Sequence, residues 1–162
     1  MKRRAFIAGM VGLSSMMYLM KWRTAMADHG KTQIEYSKKE WQEKLSADQY
    51  RILRKEGTEP AWSSAFNKEK RKGKFVCAGC DLELFTSEMK FDSGTGWPSF
   101  FNVIKGHVET KTDFKIIYPR TEYHCARCGG HQGHVFKDGP KPTGLRYCNN
   151  GLALKFKPSP VE

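Results

Sequence analysis

The 162-residue sequence has no long hydrophobic run. Its first 27 residues contain no acidic side chain. Its main apolar stretch, residues 5–20, is interrupted by glycines and falls short of the roughly 20 residues that a membrane-spanning helix needs. The acid-free segment holds five of the 28 Lys and Arg residues, so the rest of the chain carries 23 basic against 17 acidic side chains. This small excess does not favour nucleic acid as a partner, and the basic run at residues 68–74 is interpreted as a solvated loop.

The first 27 residues are interpreted as an export signal. Arg3 and Arg4 precede the apolar stretch and resemble the start of a twin-arginine signal, and residues 25–27 have the small-x-small pattern of a cleavage site. The mature protein is then expected to begin at Asp28 and to reach the periplasm through the twin-arginine export machinery. The alternative is an uncleaved anchor in the inner membrane, flanked by the interfacial residues 21–23.

The remaining length fits one domain that buries a hydrophobic core without disulfides. Residues 28–36 show no periodicity and are predicted to be a tether, residues 37–158 to form the domain, and residues 159–162 to be a tail. The cysteines of this domain are therefore available for chemistry other than crosslinking.

Two capping boxes, beginning at Ser37 and Ser46, predict two short helices near the start of the domain. Beyond them, short aromatic or branched runs predict antiparallel strands, and the fold class is accordingly mainly β (α+β). The predicted strands lie at residues 75–76, 82–85, 114–118 and 152–156. The last strand is expected to leave directly from Cys148, which would hold that thiol on rigid structure.

Four of the five cysteines form two C-x-x-C pairs, Cys77 with Cys80 and Cys125 with Cys128. Each pair places two thiols on a tight turn, the arrangement that lets both sulfurs face one tetrahedral ion. The pairs are too far apart in sequence for a compact zinc ribbon, so the predicted structural zinc would join distant parts of the fold. The alternatives are a redox-active pair or two disulfides.

Cys148 is the cysteine that remains outside these pairs. His131, His134 and Asn150 lie near it in sequence, and these residue types orient, protonate or hold groups beside a thiolate. The pattern indicates a thiol-based redox enzyme that contains zinc. A cysteine hydrolase uses the same residue types. A zinc-binding interaction module with an incidental thiol is the alternative that is not an enzyme.

Four motifs in a fixed order make the chain similar to a known family. They are C-A-G-C at residues 77–80, G-T-G-W-P-S-F at 94–100, C-A-R-C-G-G-H-Q-G-H-V-F at 125–136 and D-G-P-K-P-T-G-L-R-Y-C-N-N-G at 138–151. From about Ser37 to Lys157 the chain resembles the methionine-R-sulfoxide reductases of the B type. The resemblance implies a small fold of two antiparallel sheets and a peptide-methionine (R)-S-oxide reductase. It also implies a structural zinc on Cys77, Cys80, Cys125 and Cys128.

The resemblance implies a role for each matching residue. Cys148 is the expected nucleophile, His131 and His134 are placed beside the sulfoxide, and Asn150 positions substrate or water. The implied substrate-binding residues are Trp97, which would pack on the substrate methyl group, Phe100 in the same turn, and Arg146, which would also favour the thiolate.

Many members of that family carry a second, resolving cysteine at the position where this chain has Thr95. We therefore expect no internal catalytic disulfide. Sulfenic acid on Cys148 would be reduced directly by an external thiol, either a thioredoxin-like protein or a small thiol. The expected substrates are oxidised peptides or proteins outside the cytoplasm, and the expected assembly state is a monomer.

Overall fold

The computed structural model describes residues 34–114 and 119–160, which form two α-helices followed by nine strands in two antiparallel sheets. This architecture confirms the predicted class, a mainly β fold with short helices near the start. None of the helices in the described part of the chain has the length and hydrophobicity to cross a membrane. The predicted export signal at residues 1–27 lies outside the described residues.

The helices are α1 (Lys38–Lys44) and α2 (Ala47–Lys55), and both begin as the capping boxes predict. The Ser37 hydroxyl accepts from the Glu40 backbone, and the Ser46 hydroxyl accepts from the Gln49 backbone. Such caps satisfy backbone donors that have no partner inside a helix, which is why two such short helices are defined from local sequence. In the described part of the chain there are also three single-turn 3-10 helices, at Ala65–Lys68, Ser87–Met89 and Gly151–Ala153.

The smaller sheet has the strand order β2-β1-β9 and the larger sheet the order β3-β4-β8-β7-β6-β5. The strands of the smaller sheet are β1 (Gly73–Cys77), β2 (Glu83–Thr86) and β9 (Leu154–Pro158). Those of the larger sheet are β3 (Lys90–Phe91), β4 (Ser99–Phe100), β5 (Val108–Asp113), β6 (Arg120–Cys125), β7 (His131–Phe136) and β8 (Arg146–Asn149).

The structure corrects one strand prediction at its first residue and another in where its strand begins. Phe114 lies beyond the end of β5 with 76% of its surface exposed, and residues 115–118 lie outside the described residues. Cys148 lies within β8 of the larger sheet, and a 3-10 helix separates β8 from β9. The thiol is therefore held by a strand of its own, with neighbours on both sides, rather than by the start of the terminal strand.

The hydrophobic core joins one face of the larger sheet to the smaller sheet. Phe100 and Tyr123 of the larger sheet are fully buried, and the Phe100 ring stacks on Phe85 with centroids 3.9 Å apart. Phe75 of β1 completes the group, with its ring centroid 5.0 Å from that of Phe100. Because side chains alternate along a strand, this apolar face leaves the other face of the larger sheet for polar residues.

Replacing Gly133 with alanine should destabilise the fold. A Cβ atom at this position would lie 1.9 Å from the Cys148 carbonyl oxygen, so β7 and β8 would have to move apart. We expect the free energy of unfolding to fall by about 2 kcal/mol or more, as for other overpacked sites. Denaturant unfolding measures the change, and Thr121→Ala, at an exposed position on the adjacent strand β6, is the control. Equal unfolding midpoints for Gly133→Ala and the wild-type protein would contradict the prediction.

Candidate active site

A row of polar residues crosses the larger sheet on the face turned away from the core. Lys111 pairs with Glu122, Glu122 with His134, and His134 with Cys148. Directly opposed residues of antiparallel strands place their side chains on the same face, within contact of one another. The pairing of β7 with β8 therefore puts a histidine beside the lone thiol.

A β-bulge at Gln132 brings a second histidine onto this face. His131 and Gly133 oppose the consecutive residues His124 and Tyr123 of β6, so Gln132 is the extra residue. Without the bulge, His131 and His134, three residues apart, would point to opposite faces of the sheet. With it, their ring centroids lie 5.7 Å apart.

Cys148 lines a cavity of about 130 Å³ together with Trp97, His134, Phe136 and Asn150. Pockets that bind whole small molecules are usually about 300 Å³ or larger, so this one suits a single side chain. Its walls combine aromatic rings with a thiol and an imidazole. It can therefore hold a small group that is apolar on one side and polar on the other.

Burial raises the pKa of the Cys148 thiol above its ordinary value. The Arg146 charge and hydrogen bonding from Thr95 and Arg146 act in the opposite direction and offset part of this effect. The resting group at neutral pH is thus a thiol that needs a base to become nucleophilic. The Cα atom of His134 opposes that of Cys148 across β7 and β8, and both residues line the cavity.

His134 is oriented by a carboxylate that the sequence did not single out. Its Nε2 lies 2.8 Å from Oδ2 of the buried Asp113, and the same oxygen accepts a hydrogen bond from Arg120 at 2.7 Å. A neutral His134 therefore donates from Nε2 and keeps Nδ1 as its acceptor. Asp113 fixes both the tautomer and the orientation of the ring, as carboxylates do for catalytic histidines elsewhere.

His131 does not share this environment. It is buried, its Nδ1 contacts Oε1 of Glu122, and it lines a second cavity rather than the one at Cys148. Burial lowers the pKa of His131 to about 4, although Glu122 acts against that change. His131 is therefore neutral at physiological pH, and of the two histidines it is His134 that lines the cavity with Cys148.

Trp97 and Asn150 are both anchored by Glu59, a buried residue that the sequence analysis missed. The Trp97 indole donates to the Glu59 carbonyl at 3.0 Å, and the Glu59 backbone N–H donates to the Asn150 side chain at 3.0 Å. The Glu59 carboxylate accepts from the backbone N–H groups of Gly151 and Leu152. Asn150 also donates to the Gln132 carbonyl at 3.0 Å, so both polar atoms of its amide are engaged with backbone. Asn150 thus shapes the cavity wall.

Phe100 and Arg146 are not among the residues that line the cavity, and their expected substrate contacts stay predictions. Strand alternation sends Phe100 into the core, where it is 0% exposed. The Arg146 guanidinium forms two hydrogen bonds with the Asp138 carboxylate, at 2.9 and 2.8 Å, and lies over the Phe136 ring. Arg146 therefore acts on the site through its charge near Cys148 and by holding Phe136, which is a cavity residue.

The four paired cysteines meet in one cluster whose sulfur atoms all lie within 4.8 Å of one another. Cys77 and Cys128 have sulfurs 3.6 Å apart, and those of Cys80 and Cys125 are 3.4 Å apart. Sulfurs around a tetrahedral zinc lie about 3.8 Å apart, whereas a disulfide requires about 2 Å, so the cluster fits a metal. Cys77 ends β1 and Cys125 ends β6, so a bound ion would join the two sheets.

Gln132 connects this cluster to the active site. Its side-chain amide donates to the Cys77 sulfur at 3.4 Å, while its carbonyl accepts from Asn150. The bulge thus leaves the Gln132 backbone carbonyl free to bond Asn150 at the cavity, while the Gln132 side chain reaches the cysteine cluster. Neither contact is visible in sequence, because each joins residues far apart in the chain. The sequence signal that could have identified Gln132 is its position, as a polar residue between the two candidate histidines His131 and His134.

Comparison with known proteins gives a consistent set of relatives. A family model described as SelR domain matches residues 45–158. A peptide methionine sulfoxide reductase MsrB of Leptospira interrogans is 49% identical over 77% of this chain and 96% of its own. Proteins of the same name from Methanosarcina barkeri and Agrobacterium fabrum are 50% and 47% identical, over 76% and 82% of this chain and 88% and 99% of their own.

Removing the Arg146 charge should raise the pKa of Cys148 further. In Arg146→Met the buried thiolate loses its nearby cation, while Asp138, which disfavours the thiolate, stays charged. We expect the pH midpoint for alkylation of Cys148 by iodoacetamide to lie above the ordinary thiol value of about 8.5, and higher in the variant. Peptide mass analysis follows this cysteine alone, and Arg71→Met, an exposed arginine paired with Glu69, is the control. A midpoint that Arg146→Met leaves unchanged or lowers would contradict the assignment.

Proposed function

The chain belongs to the MsrB family of peptide methionine sulfoxide reductases, and we propose that it reduces methionine-R-sulfoxide in peptides or proteins through Cys148. The observation that carries this proposal is the pairing of Cys148 with His134 beside Trp97 in a cavity sized for one side chain. Family membership favours this reaction over the cysteine hydrolase and the zinc-binding module.

The chemistry needs a nucleophile and a proton donor together. A sulfoxide sulfur is electrophilic, but its oxygen leaves poorly unless it is protonated. We propose that His134 takes the proton of Cys148 and passes it to the sulfoxide oxygen as the thiolate attacks the sulfur. The oxygen then moves to the Cys148 sulfur, the substrate leaves as a thioether, and Cys148 becomes a sulfenic acid. The two electrons that reduce the substrate come from the Cys148 sulfur, and the thiol proton ends on the sulfenic oxygen.

The arrangement of the cavity supports this order of events. His134 is held by Asp113 through one nitrogen, which leaves the other for proton transfer. Trp97 supplies an apolar face for the methyl group of the substrate, and the indole cannot rotate away without losing its bond to Glu59. Site residues supported in this way by rigid elements keep reacting groups in a productive geometry.

We propose that an external thiol completes the cycle. The Thr95 hydroxyl stands beside Cys148, and the cavity lining contains no second cysteine. One external thiol would displace water from the sulfenic acid to form a mixed disulfide, and a second would release Cys148 and leave as a disulfide. A thioredoxin-like protein or a small thiol supplies both, and the enzyme is proposed to act as a monomer.

Zinc is the proposed occupant of the four-cysteine cluster, held by Cys77, Cys80, Cys125 and Cys128. A closed set of four thiolates leaves no position for substrate, so the ion would have a structural role. Its binding free energy would add to that of folding, because the unfolded chain doesn't preform the site. The ion takes no part in the proposed reaction.

One experiment tests both the sulfenic acid and the zinc. The zinc-loaded protein is given one equivalent of an R-sulfoxide peptide with dimedone and no reductant, and its intact mass and metal content are measured. We expect one dimedone adduct on Cys148 with one zinc retained, and no adduct with the S epimer. Cys148→Ser should lose turnover by at least about a thousandfold while keeping zinc. An intramolecular disulfide with loss of zinc would show instead that a cluster cysteine resolves the intermediate.

We also propose that the protein works in the periplasm after twin-arginine export, on the support of Arg3, Arg4 and the residues 25–27 pattern. Export of the folded protein would let the cysteine cluster load its metal in the reducing cytoplasm. In a host with this export route, the periplasmic protein should have Asp28 as its first residue by terminal sequencing. Arg3→Lys with Arg4→Lys should retain it in the cytoplasm, and normal export of that variant would exclude this route.

A further inference from the structure

Glu122, His124 and His131 form a second cluster of metal-ligand side chains, apart from the four cysteines and the Cys148 cavity. One nitrogen or oxygen atom of each lies within 4.8 Å of the other two. We propose that this cluster is a second metal site, for a divalent transition metal such as zinc. The inference does not rest on the proposed reductase mechanism, because it concerns binding alone.

The ligand atoms already converge on one point. Oε1 of Glu122 lies 2.8 Å from Nε2 of His124 and contacts Nδ1 of His131. Ligands of a tetrahedral zinc lie about 3.3 Å apart for bonds near 2.0–2.1 Å, so small side-chain rotations admit an ion between them. Two imidazoles and one carboxylate are a ligand set that zinc uses widely.

The surroundings allow the ion to enter and the ligands to adjust. His124 and His131 line a cavity of about 320 Å³, which gives access from solvent and room for a water as fourth ligand. Among the described residues, Nε2 of His131 has no hydrogen-bond partner. Nδ1 of His131 is therefore the nitrogen that faces Glu122, and it is the ligand atom that this ring offers to an ion.

Lys111 is the competing cation at this site. Its ammonium lies 3.3 Å from Oε2 of Glu122 but closer, at 2.6 Å, to Oε1 of Glu56. Half of the Lys111 side chain is exposed, so it can keep Glu56 and yield Glu122 to a metal. Removing the Lys111 charge should then strengthen metal binding, whereas a cluster that serves only as a hydrogen-bond network predicts no such gain.

The test measures metal content and cobalt absorption of the untagged full chain. All proteins carry Cys148→Ser, which removes the thiol that lies beside His134. After dialysis against buffered zinc, we expect two equivalents of zinc in this protein and one in the same protein with His124→Gln. The affinity of the second equivalent should fall at least about tenfold in that variant, since a direct ligand is lost. With cobalt, the second equivalent should add no thiolate charge-transfer band.

Two further variants make the result decisive. His107→Gln removes an imidazole that contacts the Glu83 carbonyl and is not a member of the cluster, and it should keep both equivalents. Lys111→Met should bind the second equivalent more tightly than the parent protein. A single equivalent in the parent protein, equal second-site affinity after His124→Gln, or no gain in Lys111→Met would each overturn the proposal.

Discussion

The close backbone approach of β7 and β8 at Gly133 is the constraint on which the site depends. Because no side chain separates the strands there, the ladder between them is continuous and His134 stands opposite Cys148. β4 pairs on the other side of β8 through Ser99, so the nucleophile lies between two hydrogen-bonded neighbours. A thiol on an interior strand has little freedom to move, so Cys148 keeps a fixed position relative to the other residues of the cavity.

The bulge at Gln132 is the second feature that positions residues of the site. It turns His131 toward His134, frees a carbonyl for Asn150, and sends an amide to Cys77. The active site and the cysteine cluster therefore share one residue, although they lie on different parts of the fold. A metal bound to Cys77 would also restrain Gln132 and therefore the bulge. A structural ion would in this way help to position the residues around Cys148 indirectly.

Local patterns were sufficient for some of this structure and insufficient for the rest. Capping boxes defined both helices, and C-x-x-C spacing identified the cysteine cluster, because each signal lies within a few residues. Asp113 and Glu59 could not be identified from local sequence, since Asp113 contacts His134, 21 positions away, and Glu59 contacts residues 38 or more positions away. Trp97 and Phe100 belong to one motif, but Trp97 lies in the turn and lines the cavity, whereas Phe100 lies in β4 and is buried in the core. The sequence motif alone does not distinguish these two positions.

The raised pKa of Cys148 has a chemical consequence for the proposed reaction. A thiolate at rest would be nucleophilic, but it would leave the sulfoxide oxygen without the proton that its departure needs. A buried thiol carries that proton itself, and His134, which lines the same cavity, is the residue proposed to move it from sulfur to oxygen. Arg146 and Thr95 reduce the cost of the transient thiolate without stabilising it enough to ionise at neutral pH. Burial therefore keeps the proton on the Cys148 sulfur until a substrate oxygen is present to accept it. The same thiol then supplies both the nucleophile and the proton.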